Sequence, residues 1–105
     1  MEIKFNNRKE IFLFRVSSSP SYGAGHMVRS ICLAEEMSKY FNIFFIIDND
    51  AEIWIKKLRK KKFKYCFLQE EKKVNFLGSV NGIFLDLKNQ KSLSFMKWKK
   101  KYNFL

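Results

Sequence analysis

Apolar residues in this chain gather in four short runs, and the stretches between them repeat apolar positions at helical spacing. Residues 11–16 read I-F-L-F-R-V, 43–48 read I-F-F-I-I-D, 64–69 read K-Y-C-F-L-Q and 82–86 read G-I-F-L-D. Near-continuous apolar runs of that length predict strands buried on both faces, as in a parallel sheet. Between the first two, Met27, Ile31, Ala34 and Met37 predict one face of a helix over 26–40. Ser30, Glu35, Glu36 and Lys39 fall on its other faces, and Asn42 marks its exit. After the second run, Ala51, Trp54, Ile55 and Leu58 follow the i, i+3, i+4, i+7 rule, with Asn49 or Asp50 as candidate cap. Lys56, Lys57, Arg59, Lys60 and Lys61 then form that helix's wet side. Residues 70–77 predict one or two helical turns, and 92–102 a final helix capped by Ser92, with Phe95, Trp98 and Tyr102 on one face.

Strands alternating with helices predict successive βα units joined by right-handed crossovers. The fold class is α/β: an open, doubly wound, Rossmann-like, mostly parallel sheet of about four strands with helices on both faces. Residues 1–10 form a polar lead-in.

Composition narrows the class. The 105 residues make one domain or part of one, and 47% hydrophobic content with 12 Phe permits a modest core and argues against disorder. No apolar run approaches the roughly 20 residues that span a bilayer. The N-terminus lacks the sustained apolar segment of a signal peptide. Cys32 and Cys66 lack metal-ligand spacing and read as buried, reduced thiols of a cytoplasmic protein. The net charge is +11. Lys supplies most of it, and no RRM, KH, zinc-finger or helix-turn-helix pattern accompanies it, which makes nucleic acid an unlikely partner. Compositional drift toward Lys, alongside abundant Phe, Ile and Asn, is the simpler reading of the excess, and the Lys-rich runs fall on the wet sides of amphipathic helices.

The candidate chemistry lies in residues 15–29, R-V-S-S-S-P-S-Y-G-A-G-H-M-V-R. This is strand, small-residue loop, helix. In doubly wound sheets, ligands bind beyond the carboxyl ends of the strands. Backbone N–H groups opening the next helix lack partners, and the helix dipole makes that end positive, so an anion such as a phosphate is the natural ligand. Gly23 and Gly25 let it approach the backbone closely. His26, the only histidine, stands at the helix entrance with Arg29 one turn on. Neutral imidazole there can serve as a general base on water or as a hydrogen-bond donor. The glycines do not complete the dinucleotide fingerprint, because Val28 occupies the third glycine position, and no Walker A loop occurs. Asp48 ends the second strand where a ribose-binding acid would sit in a dinucleotide site.

The segment R-V-S-S-S-P-S-Y-G-A-G-H-M-V-R-S-I-C-L-A resembles the N-terminal signature of the UDP-sugar hydrolases of pseudaminic acid biosynthesis, members of the GT-B superfamily. Their pattern is roughly R-x-D-S-S-x-x-I-G-x-G-H-x-x-R-x-L-x-L-A. Arg15, Ser18, Ser19, Gly23, Gly25, His26, Arg29, Leu33 and Ala34 match it, whereas Ser17 replaces Asp and Tyr22 replaces Ile. The F-L-D of residues 84–86 is similar to an apolar family strand ending in Asp. A related N-acetylglucosaminyltransferase carries proline where Arg29 stands, so Arg29 favours the hydrolase branch.

The resemblance implies release of UDP from a UDP-linked acetamido-deoxy sugar by water. It implies His26 as the general base, with Arg15, Ser18, Ser19, Tyr22, Gly23, Gly25 and Arg29 holding substrate, and neither metal nor organic cofactor. GT-B enzymes hold the nucleotide mainly in a second, C-terminal domain. Residues 1–105 would then form part of an N-terminal domain, and the uridine site would come from an absent C-terminal domain or a partner chain. Two other classes remain open: a GT-B glycosyltransferase fragment using a sugar acceptor, and a non-enzymatic basic module binding nucleic acid or other anions.

Overall fold

In a computed structural model of the chain, residues 9–73 and 80–86 are described. Strand β1 (Glu10–Val16) leads through a loop to helix α1 (Gly25–Met37), then to β2 (Phe41–Ile47). A 3-10 turn (Glu52–Trp54) opens into the short helix α2 (Ile55–Lys60), followed by β3 (Lys64–Phe67), a second 3-10 segment (Leu68–Lys73) and β4 (Gly82–Asp86). All pairings are parallel, in the order β3-β2-β1-β4. The α/β Rossmann-like sheet expected from the apolar runs is therefore present.

Strand alternation divides the core into two layers. Phe14, Val16, Ile43, Phe45 and Ile47 face Met27, Ile31 and Ala34 of α1 and Leu58 of α2. Phe14 stacks on Phe45 and tilts against Phe84, each with centroids 5.1 Å apart, so a row of rings ties three strands together. Leu13, Phe44, Ile46 and Cys66 bury the opposite face, where Leu68 of the second 3-10 segment packs. The handedness rule explains the division. Stepping β1 to β2 to β3 in one direction puts both α-helices on one face, and Leu68 and Val80 pack against the other. At Gly82 the sheet is tight: a Cβ there would lie 2.5 Å from the Phe12 ring.

Several local expectations need correction. Asn42 lies inside β2 and donates from Nδ2 to the Lys9 carbonyl (2.9 Å), because pairing starts at Phe41 opposite Glu10. Asn49 and Asp50 cap no helix. Asn49 Oδ1 accepts the Gln69 amide and Asp50 accepts from Ser19, so both stitch loops together. Cys32 is exposed, since α1 turns Met27, Ile31 and Ala34 inward and Cys32 falls outside that stripe. Ser30 is buried, not surface-facing, and its Oγ has no hydrogen-bond partner among the described residues. Cys66 is buried as expected. Burial first, then the nearby Glu70 and Glu71, push its thiol up to about 12, leaving it protonated and unreactive. The expected final helix lies outside the described residues. Among the described residues, no helix is long and apolar enough to cross a membrane.

Helix α2 ends in a Schellman motif. The Lys62 amide donates to the Arg59 carbonyl (3.0 Å) and the Phe63 amide to the Leu58 carbonyl (2.9 Å). Lys62 takes the left-handed conformation (φ 63°) that this motif usually gives to glycine, at a cost of about 1 kcal/mol.

Candidate functional site

Strand order reverses between β1 and β4, and the crevice beyond the strand ends at that switch point is the favoured ligand position in such sheets. The Ser-Gly loop after β1 sits there. Its first half is held from beneath. Arg15 pairs in register with Ile46, two residues before Asp48, so the neighbouring strand ends bring opposite charges together. Arg15 Nη2 donates to Asp48 Oδ1 (2.8 Å), with the two side chains only 8% and 17% exposed. Arg15 Nη1 donates to the Val16 carbonyl (2.6 Å). The other Asp48 oxygen accepts the Ser18 amide (2.7 Å) and the Ser19 amide (3.0 Å). The Asp48 amide in turn donates to Ser18 Oγ (2.7 Å), and Ser19 Oγ donates to Asp50 Oδ2 (2.7 Å). Ser17, Ser18 and Ser19 are buried by this arrangement.

Burial alone would raise the Asp48 pKa. The Arg15 guanidinium and the Ser18 and Ser19 amides outweigh it and hold the carboxyl below its ordinary value. Asp48 therefore works as a fixed anion inside the loop's frame.

The second half of the loop is more open. Pro20–Tyr22 form one 3-10 turn, and the Gly23 amide donates back to the Pro20 carbonyl (3.2 Å). Gly23 takes φ 79°, and a Cβ there would meet nothing within 4 Å. Backbone conformation, not crowding, favours glycine at that position. Helix α1 then begins with no side-chain cap and no acidic residue in its first turn. Its N-cap residue, Ala24, thus supplies no side-chain acceptor to the opening N–H groups.

His26 and Arg29 meet across this first turn. Arg29 Nη2 lies 3.0 Å from His26 Nδ1. A guanidinium only donates, so the contact uses the Nδ1 lone pair, which is the tautomer whose proton sits on Nε2. His26 is half-buried and Arg29 exposed. The contact thus joins a cation to a lone pair of the imidazole ring.

The expected site residues fall into two layers. Gly23, Gly25, His26 and Arg29 form the mouth. Arg15, Ser18 and Ser19 lie beneath it with polar groups engaged by Asp48 and Asp50, and Tyr22 sits in the turn that joins the layers. Asp48 and Asp50 form a frame that sequence reasoning did not assemble. The available signal was an acid directly after a buried strand parallel to the one feeding the loop. Among the described residues, no group of three or more His, Cys, Asp or Glu side chains could hold a metal ion. Comparison with known proteins adds no relative: no family model, curated protein or solved structure matches the chain.

Proposed function

We propose that this chain forms the sugar- and water-handling half of a hydrolase that releases UDP from a UDP-linked acetamido-deoxy sugar. The observation that carries this reading is the uncapped start of α1 at the sheet's switch point, with His26 and Arg29 in contact one residue beyond Gly25. The likeness of residues 15–34 to the pseudaminic-type UDP-sugar hydrolases supports the substrate class. An anionic diphosphate suits the positive helix end and the Arg29 guanidinium. As the diphosphate draws Arg29 onto itself, the Nδ1 lone pair of His26 is released and takes a proton from water, which displaces UDP from the sugar. Arg15, Ser18 and Ser19 contribute through Asp48 by fixing the loop on which these groups stand. A second nucleotide-binding domain, on the same polypeptide or on a partner, would hold the uridine.

The test is UDP release from a UDP-linked acetamido-deoxy sugar by this chain supplied with the product of the reading frame that follows it. Free sugar and UDP are expected in equal amounts. Transfer of the sugar to an acceptor with no free sugar formed, or no turnover of any such nucleotide, would overturn the reading.

A further inference from the structure

The outer side of α2 carries a groove of about 490 Å³ lined by Ile53, Lys56, Lys57, Lys60 and Lys61. We propose that this face rests on an anionic lipid surface as a peripheral contact, with Ile53 entering the headgroup layer and the lysines meeting the anionic headgroups. The placement follows from helix geometry. Leu58 is buried toward the sheet, and Ile53, Lys56, Lys57 and Lys60 recur at i, i+3, i+4 and i+7 on the side turned away from it. Ile53 is 70% exposed, so an aliphatic side chain stands in water among the lysines. Lys61 is bonded to Glu35 of α1 (3.2 Å), and the next acid of α1, Glu36, is bonded to Lys39 (3.0 Å). Lys56, Lys57 and Lys60 have no ion-pair partner among the described residues. Residues 52–62 contain six cations and one acid, Glu52. The carboxyl end of α2 offsets only about half a charge.

An apolar residue set among unpaired lysines selects among anionic partners. A nucleic-acid backbone gains nothing from Ile53, and no aromatic ring among the described residues lines the groove for a base to stack on. A specific protein partner needs roughly 800 Å² on each side, whereas the edge from Ile53 to Lys60 is only ~10 Å long. A lipid surface requires neither feature. Each lysine near an anionic leaflet contributes separately, and an inserted aliphatic side chain adds its own burial. The lysine stems can lie along the apolar boundary while their charges stay at headgroup level.

The test is sedimentation of the full chain with vesicles of equal parts phosphatidylserine and phosphatidylcholine at low ionic strength, beside vesicles of phosphatidylcholine alone. The chain is expected to bind the first and not the second. Lys60→Gln should weaken binding about fivefold, an effect that fades as salt is raised. Ile53→Ser should weaken it roughly threefold to tenfold, with the urea midpoint unchanged because the side chain is already exposed. Lys72→Gln, in the 3-10 segment whose Leu68 packs on the opposite sheet face, should change affinity less than about twofold. Equal losses in Lys60→Gln and Lys72→Gln would assign the effect to net charge and overturn the proposal, as would an Ile53→Ser variant that binds like the wild type. Failure to bind the anionic vesicles, with or without capture of a single-stranded oligonucleotide, also overturns it. None of these outcomes uses a sugar nucleotide, so this surface and the loop site stand or fall separately.

Discussion

Asp48→Ala is expected to lower the stability of the chain by about 3–5 kcal/mol, the usual cost of removing one partner from a buried ion pair. The cost arises because Arg15 stays buried without its carboxylate, and the Ser18 and Ser19 amides lose their acceptor in the same step. Asp48→Asn keeps an oxygen for an amide but loses the charge, so its loss should be smaller. Urea unfolding of the three proteins would measure the order. The same carboxylate sets a pH dependence. Its pKa is lower in the folded chain than in the unfolded one, so its contribution is fully present above the ordinary aspartate range, near pH 4. The contribution is lost as pH falls below that range through the folded value. Stability measured from pH 6 down to pH 3 should therefore fall more steeply in the wild type than in Asp48→Asn. An equal slope in both would mean that Asp48 is not the titrating group.

His26→Ala is expected to reduce UDP release by ~10²-fold or more while leaving the urea midpoint nearly unchanged. The ring is half-buried at the loop's mouth and belongs to neither apolar layer, so its loss opens no core cavity. Arg29→Ala should behave differently. On the proposed reading it removes the cation that would hold the diphosphate, which raises KM, and it also frees the Nδ1 lone pair before substrate arrives. A rise in KM with a smaller change in kcat is the expected pattern. A rate for His26→Ala within a few-fold of wild type would exclude the ring as the base. Equal losses in kcat from both variants would point to a jointly required pair with no separable roles.

The sheet was legible because its signal is local and redundant. Phe12 to Phe14, Ile43 to Ile47 and Ile83 to Leu85 leave too few polar positions for any surface strand, and that pattern implies a parallel sheet covered on both faces. Element ends were less legible. Asn42 looks like a helix stop, but the tertiary pairing of Phe41 with Glu10 draws it into a strand. Asn49 and Asp50 have cap chemistry, yet they are drawn to Gln69 and Ser19, partners 20 and 31 residues away. Asp48 is the fullest case: its role depends on a parallel neighbour, and no spacing rule along the chain brings residue 48 to residues 15, 18 and 19. His26 and Arg29 were legible because three residues on a helix is a local relation. The Arg29–Nδ1 contact, which selects the tautomer, was not.

That contact is open to a direct measurement, because the chain contains a single histidine and so gives one imidazole signal set. A long-range nitrogen–proton NMR spectrum of the neutral ring should show Nδ1 unprotonated and Nε2 protonated, with a broader tautomer mixture in Arg29→Ala. Addition of a UDP-linked acetamido-deoxy sugar should shift the Nδ1 resonance as Arg29 moves to the diphosphate, and the same sugar without UDP should not. A proton on Nδ1, or a ring unaffected by the sugar nucleotide at saturating concentration, would contradict the paired His26–Arg29 site on which the proposed hydrolysis rests.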